Sequence, residues 1–137
     1  MGERELSERA ADTRAAVLAY LDALNAHDAD RVAACVSADF VNEHTAAGAV
    51  SRFGRAAYRA ALDGFLADFR ELRYEPEQVL VDGSRCAVPY RLTARVRSAA
   101  DRAIDVRGVF VFAVDDDGLV AHRVDYWDSA EVARQLS

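Results

Sequence analysis

Lysine is absent from this 137-residue chain, in which all 17 basic residues are arginine. Its absence excludes Schiff-base catalysis and the lysine-dependent phosphate-binding loop of nucleotide hydrolases. Glycine-rich dinucleotide-binding patterns, the GxSxG nucleophile motif and the HExxH spacing of zinc proteases are also missing. The three histidines are scattered, which argues against a metal site. We therefore expect no metal and no other cofactor.

Cysteine is scarce, with only Cys35 and Cys86, which lie far apart in apolar stretches. They form no CxxC pair and are too few for a disulfide framework, so we expect reduced thiols in a cytoplasmic protein. Residues 1–14 are charged and lack the apolar region of a signal peptide. No apolar run approaches the length of a membrane span, and we expect no membrane association.

Positive charge is in deficit, because 17 basic residues face 23 acidic ones and give a net charge of −6. This balance argues against nucleic acid as a partner. Hydrophobic residues make up 52% of the chain, too many for a disordered segment. Folding at this length buries roughly two-thirds of the chain's surface. We predict a single domain over residues 1–137, with residues 1–7 frayed.

The first half of the chain has helical periodicity. Between residues 8 and 25, apolar positions recur every three to four residues and form one stripe: Ala16, Val17, Tyr20, Leu21 and Leu24. Asp28 is a candidate cap for a short second helix. Residues 39–44 predict a strand, residues 45–54 a loop and residues 55–69 a third helix.

The second half alternates between apolar and polar positions, which predicts strands at about 72–82, 85–98, 102–114 and 118–127. Two Asp-Gly pairs mark hairpin turns. A short helix follows from Ser129, with Asp128 as its cap and Glu131 as the reciprocal partner. This order predicts an α+β fold in which a curved antiparallel sheet packs on three N-terminal helices and leaves a cone-shaped pocket for a small ligand.

The last strand carries the strongest candidate for chemistry. One of its faces combines a cation, a carboxylate and an indole: Leu119, Ala121, Arg123, Asp125 and Trp127. In a pocket, burial would raise the pKa of Asp125, Arg123 would lower it, and the carboxylate could act as a general base or acid. On an exposed sheet face, the same residues would form a surface ion pair.

Three other polar residues are candidates. His44 ends the first strand on the same face as Asn42, and its imidazole could exchange protons at a pocket mouth, or be a polar strand end. Tyr20 could donate a hydrogen bond to a substrate oxygen, or be a core aromatic. Several further aromatic residues are candidates for the core, the pocket wall or both: Phe65, Phe69, Tyr90, Phe110 and Phe112.

Four segments together resemble the nuclear-transport-factor-2-like superfamily, specifically its SnoaL-like polyketide cyclase and ketosteroid isomerase branch. They cover nearly the whole chain and read VLAYLDALNAHDADRVAACVSADF, FGRAAYRAAL, AVPYRLTARV, and GVFVFAVDDDGLVAHRVDYWD followed by QLS. The resemblance implies the cone-shaped architecture, also described as a cystatin-like α+β barrel. It also implies that the face carrying Asp125 looks into the cone, among a set of neighbours: Asn42, His44, Val88, Tyr90, Leu92, Phe110 and Phe112.

The resemblance also implies residue roles. Asp125 matches the acid/base carboxylate of SnoaL-like cyclases and limonene epoxide hydrolases, and Tyr20 matches the tyrosine that donates to the oxyanion in ketosteroid isomerases. His44 and Phe110 stand where those isomerases have acidic residues, so isomerase chemistry of that exact type is not expected. Epoxide hydrolases also need a second aspartate and an arginine on the central strand, and here that strand contains no acid: it reads Val88, Pro89, Tyr90, Arg91 and Leu92.

Two hypotheses follow. The first is a cofactor-independent enzyme that transfers protons on a hydrophobic carbonyl- or epoxide-bearing molecule. Its catalytic residues would be Asp125, His44 and Tyr20, and its substrate-binding residues Asn42, Arg123, Trp127, Tyr90, Leu92, Phe110, Phe112, Phe65 and Val88. The second is a non-catalytic ligand-binding or assembly module. The outer sheet face around Val124 and Tyr126 is apolar, and similar proteins dimerise through the sheet, so we expect a homodimer.

Overall fold

A computed structural model describes residues 2–137 of the chain. Its elements are, in chain order, α1 (Glu3–Asn25), α2 (Ala29–Ala34), β1 (Val36–His44), β2 (Arg52–Phe53), α3 (Arg55–Asp68), β3 (Phe69–Pro76), β4 (Leu80–Asp82), β5 (Arg85–Val96), a 3-10 turn (Arg97–Ala99), β6 (Arg102–Val114), β7 (Val120–Tyr126) and α4 (Ser129–Leu136). The α+β class and the packing of a curved sheet on N-terminal helices are confirmed.

The sheet differs from the prediction in one of its strand pairings. Over the described residues its strand order is β2-β1-β7-β6-β5-β3, with β4 paired to β5. The sheet is mixed, because β1 runs parallel to β7 while the other pairs are antiparallel. It is also open, with β2 and β3 as its two ends, and does not close into a barrel. The predicted all-antiparallel pairing is wrong, because β1 joins the sheet in parallel.

Helix ends follow local sequence signals in two of the predicted places. The Asp28 carboxylate accepts a hydrogen bond from the Arg31 backbone N–H and caps α2. The Asp128 carboxylate accepts from the backbone N–H groups of Ala130 and Glu131 and caps α4. Glu131 does not return to Asp128, because its carboxylate accepts hydrogen bonds from Arg134 and Gln135 instead.

Two element boundaries were predicted incorrectly. Helix α1 begins at Glu3, so residues 3–7 are helical rather than frayed, while Met1 lies outside the described residues. Two glutamates in its first turn, Glu3 and Glu5, favour this early start because they interact well with the positive end of the helix dipole. The strand predicted at 72–82 begins at Phe69 and is split after Pro76, which has no backbone N–H to continue the ladder.

The core lies between α1, α3 and the inner face of the sheet. Its fully buried large side chains come from both layers: Tyr20, Leu21 and Leu24 from α1, and Val88, Tyr90, Phe110 and Phe112 from the sheet. Helix α4 packs over β6, where the Gln135 side chain bonds both the N–H and the C=O of Asp105.

Within residues 2–137, no helix has both the length and the apolarity needed to cross a bilayer.

Candidate active site

A cavity of about 620 Å³ opens between the helices and the sheet. Its apolar wall comes mainly from α3, β5, β6 and α4, and includes Leu62, Phe65, Phe69, Leu92, Ile104, Val106 and Val132. Its polar residues include Asn42, His44, Tyr90, Arg123, Asp125 and Trp127. The volume and the mixture of an apolar wall with a few polar groups are typical of a site for a small organic molecule.

The parallel pairing of β1 with β7 assembles the polar wall. Its register places Asn42 beside Arg123 and His44 beside Asp125. Because residues two apart on a strand share a face, one short stretch of each strand supplies two polar side chains to the cavity. Strand periodicity predicted that Asn42 and His44 share one face of β1, and that Arg123 and Asp125 share one face of β7. It did not predict that β1 and β7 are neighbours.

Asp125 is a buried carboxylate, 5% exposed, at the cavity wall. Its Oδ1 accepts a hydrogen bond of 2.6 Å from the Tyr90 hydroxyl, and its Oδ2 lies 3.6 Å from Nδ1 of His44. Burial raises the pKa of Asp125, while the Arg123 charge and the Tyr90 hydrogen bond offset part of that rise. A carboxyl group with a raised pKa is suited to exchange protons closer to neutrality.

Gly108 allows Tyr90 to reach Asp125, a feature that the sequence analysis missed. Tyr90 on β5 is paired across the ladder with Gly108 on β6, and its hydroxyl bonds Asp125 on β7, one strand further. A Cβ at position 108 would lie 2.5 Å from Cζ of Tyr90, against its Oη, and 2.9 Å from the carbonyl oxygen of Tyr126. A glycine inside a strand often marks such a close approach, and this signal was present in the sequence.

The Gly108→Ala substitution should displace the Tyr90 hydroxyl from Asp125 and raise the pKa of the Asp125 carboxyl, because the hydrogen bond holds that pKa down. Titration of the Asp125 side-chain carbonyl carbon by NMR measures the change. Tyr90→Phe should cause a rise as well, since it removes the same bond. Val109→Ala, on the opposite face of β6, is the control and should leave the Asp125 pKa unchanged. A folded Gly108→Ala protein with an unchanged Asp125 pKa would refute this role for glycine.

His44 lies at the predicted place, at the end of β1 and at the cavity wall. Burial lowers its pKa to about 4, and the positive charges of Arg123 and Arg52 add to the effect. Its Nδ1 accepts a 3.1 Å hydrogen bond from the indole N–H of Trp127. Desolvation and the positive potential around the ring therefore disfavour a charged His44 near pH 7, while its role as a second acid/base group stays a prediction.

Arg123 is a buried cation that organises the polar wall. Its Nη1 donates to the Tyr20 hydroxyl at 2.7 Å and its Nη2 donates to Oδ1 of Asn42. The guanidinium also stacks over the Phe110 ring, with 4.8 Å between Cζ and the ring centroid. Arg123 therefore fixes the orientation of the Asn42 amide and lowers the pKa of the Asp125 carboxyl from a distance.

Tyr20 lies beneath the cavity rather than in it. It is fully buried, does not line the cavity, and its hydroxyl bonds the Tyr58 hydroxyl as well as Arg123. Tyr58 on α3 lines the cavity in its place. The helical stripe of α3 contained Tyr58, but periodicity does not distinguish a tyrosine at a cavity wall from one in the core.

Three predicted substrate-binding residues are also too deep. Val88, Phe110 and Phe112 are fully buried and do not line the cavity. They share the inner sheet face with Asp125, but this face continues beyond the cavity floor and packs against α1, as in the edge contact of Phe112 with Tyr20. The other predicted substrate-binding residues do line it: Asn42, Arg123, Trp127, Tyr90, Leu92 and Phe65.

Comparisons with known proteins agree with the fold. Several solved structures share it, including these three. An epoxide hydrolase of M. tuberculosis, described as LEH-like, has 22% identity and a TM-score of 0.79, over 93% of this chain and 90% of the other. A Xanthomonas campestris pv. campestris protein assigned as a polyketide cyclase has 22% identity and a TM-score of 0.80, over 94% and 99%. A nuclear-transport-factor-2-like protein of Burkholderia pseudomallei K96243 has 19% identity and a TM-score of 0.81, over 92% and 98%.

At these identities the solved structures establish a shared fold. No curated protein sequence matches the chain. The SnoaL-like domain family matches residues 17–123, from the C-terminal part of α1 to Arg123 on β7. This match covers more than half of the sequence, and the chain belongs to the SnoaL-like domain family.

Proposed function

We propose that this protein is a cofactor-independent enzyme that transfers protons on a hydrophobic small molecule bearing a carbonyl or an epoxide. The reactions in this class are isomerisation, cyclisation, dehydration and epoxide opening. The observation that carries the proposal is the Asp125 carboxylate, which is buried, lines an apolar cavity and has a raised pKa. Two of the structural neighbours are named for an epoxide hydrolase and a polyketide cyclase, which supports the same class.

A few cavity residues would each have a separate role in the reaction. Asp125 would take a proton from the substrate or give one to it, and Tyr90 and Arg123 would set the strength of the acid. Tyr58 would hold a substrate oxygen in place of Tyr20, which would in turn support the Tyr58 hydroxyl. The apolar body of the substrate would lie against α3 and β5, at Phe65 and Leu92.

Proton exchange provides a test that needs no known substrate. Hydrophobic ketones that bind the cavity are incubated with the protein in D2O, and loss of the proton next to the carbonyl is followed by NMR. A matching panel of hydrophobic epoxides is followed by chromatography. Enzyme-dependent exchange or ring opening would support the proposal. Compounds that bind the cavity without any reaction would contradict it.

The second candidate is a ligand-binding module without catalysis. The observation in its favour is that His44, with a pKa of about 4, provides no second group that exchanges protons near pH 7. The panel above separates the two candidates, because a binding module would retain the ketones and epoxides unchanged.

We also propose that the protein forms a homodimer through the outer face of the sheet. Partly exposed apolar side chains of β6 and β7 lie together there: Val109, Val111, Val124 and Tyr126, the last 48% exposed. An apolar patch of this kind favours association with a second copy.

The Val124→Arg substitution should therefore convert a dimer of the 15.0 kDa chain into a monomer, because an arginine there would be buried against its own copy. Sedimentation velocity measures the change. Leu6→Arg, an exposed position of α1, is the matched control and should leave the dimer intact. A monomeric wild-type protein at high concentration would exclude this dimer.

A further inference from the structure

Two side-chain nitrogen atoms lie side by side at the cavity wall. They are Nδ2 of Asn42 and Nε2 of His44, which are 3.4 Å apart. Both residues line the cavity, and both come from β1, two positions apart on the same face. Whether this contact is a hydrogen bond depends on which atoms carry protons, and the neighbouring residues decide that.

The Asn42 side chain is oriented by Arg123. A guanidinium can only donate hydrogen bonds, so the atom of Asn42 that meets Nη2 of Arg123 is the carbonyl oxygen Oδ1. The amide nitrogen of Asn42 is therefore the atom that faces His44. This nitrogen carries two protons and has no lone pair available to accept one.

The His44 ring is oriented by Trp127 in the same way. The indole N–H can only donate, so Nδ1 of His44 accepts its hydrogen bond and carries no proton. The neighbouring Asp125 oxygen, 3.6 Å from Nδ1, does not compete at that distance. With a pKa of about 4 the ring is neutral at pH 7, and its single proton must be on Nε2. The two facing nitrogens, Nδ2 and Nε2, are then both donors.

We propose that Asn42 and His44 form a two-donor subsite that binds one oxygen atom of the substrate, such as a carbonyl or epoxide oxygen that gains negative charge during the reaction. An oxygen placed about 2.9 Å from both nitrogens would accept from each, a normal N–H···O distance. Fixed donors aimed at developing negative charge stabilise a transition state. In this role His44 acts as a donor and not as a base, and Trp127 and Arg123 are positioning residues.

This inference rests on the proposed function, but its test uses binding and not turnover. The probe is 2-naphthol, a neutral aromatic molecule with one hydroxyl oxygen. Nitrogen NMR of the His44 ring at pH 7 should show a proton on Nε2 and none on Nδ1. Binding of 2-naphthol should shift the Nε2 and Asn42 Nδ2 signals together. A proton on Nδ1, or a positively charged ring, would overturn the proposal.

Variants separate a donor from an acid/base group. His44→Gln keeps an N–H donor near the position of Nε2, and we expect its affinity for 2-naphthol to remain close to that of the wild type. His44→Phe removes the donor and should weaken binding about tenfold, the effect of one lost hydrogen bond. Trp127→Phe should also weaken binding, with the Nδ1-protonated form of the ring appearing in the nitrogen spectrum.

The matched control is His122→Gln, since this histidine bonds Glu43 and does not line the cavity. Its affinity for 2-naphthol should equal that of the wild type. Equal affinity of wild type and His44→Phe would overturn the two-donor subsite. If the ketone and epoxide panel shows no turnover, these binding and nitrogen NMR results still decide the subsite on their own.

Discussion

The Asp125→Asn protein is expected to lose a hundredfold to ten-thousandfold of its turnover, which is on the order of what one positioned acid/base group contributes. Asparagine has nearly the same shape and can still accept the Tyr90 hydrogen bond, so the cavity should keep its geometry. What it lacks is a proton that it can exchange. The rate of a reactive ketone or epoxide from the panel, measured for both proteins, gives the ratio.

The pH profile adds a signature of the same residue. If Asp125 acts as a base, its ionised form is the active one, and the rate falls as the pH falls through its pKa. Since burial places this pKa above the ordinary value of 3.8, the fall should begin at a higher pH than for a solvated aspartate. Asp105→Asn is the control, because this exposed carboxylate pairs with Arg91 outside the cavity. Wild-type rates in Asp125→Asn would exclude the catalytic role.

Replacing Arg123 with methionine should destabilise the protein by about 3 kcal/mol, the order expected when one member of a buried charged network is removed. Methionine has a similar length but no donors. Asn42 would lose the donor that satisfies its carbonyl oxygen, and Asp125 would lose the buried positive charge that lowers its pKa. Urea unfolding measures the loss of free energy.

Two further variants identify the cause of this loss. Adding Asp125→Asn to the Arg123→Met protein should restore part of the stability, because the remaining site then has no buried carboxylate to solvate. Arg91→Met, at an exposed ion pair with Asp105, should leave the unfolding midpoint unchanged within error. An Arg123→Met protein as stable as the wild type would show that the buried guanidinium does not hold the polar wall together.

The face of the last strand could be predicted from the sequence because strand periodicity is local. Alternation alone placed Arg123, Asp125 and Trp127 together, and the structure keeps all three at the cavity. The turns at Gly83 and Gly118 could also be predicted, because the Asp-Gly signal lies within two neighbouring residues. Both glycines have positive φ, at 59° and 77°. Signals that reside within a few neighbouring residues are therefore sufficient for these parts of the molecule.

The partner of each strand could not be predicted in the same way. Strand β1 lies beside β7, about 80 residues later in the chain, and nothing in the local pattern of either strand encodes that parallel register. Yet this register brings His44 to Asp125 and Asn42 to Arg123. The chemistry of the site depends on a long-range pairing, while the candidate residues could be chosen from short-range patterns.

The sequence also did not predict how deep each side chain lies, at the cavity wall or in the core beneath it. Tyr20 and Tyr58 both lie on apolar helical stripes, and only the packing of α3 over the cavity distinguishes the wall residue from the core residue. Phe110 and Asp125 likewise share a sheet face, but Phe110 lies below the cavity floor while Asp125 lies at the cavity wall. Gly108 is different, because a glycine inside a strand is a readable signal of close approach.

The central claim is that the Asp125 carboxyl is held out of water at the wall of an apolar cavity, where it can exchange a proton with a bound molecule. Carbon NMR titration of the wild-type Asp125 side chain tests this directly. The account predicts a midpoint above 3.8, the value of a solvated aspartate, and a change in that midpoint when a ligand fills the cavity. A midpoint at or below 3.8 that no cavity ligand alters would contradict it.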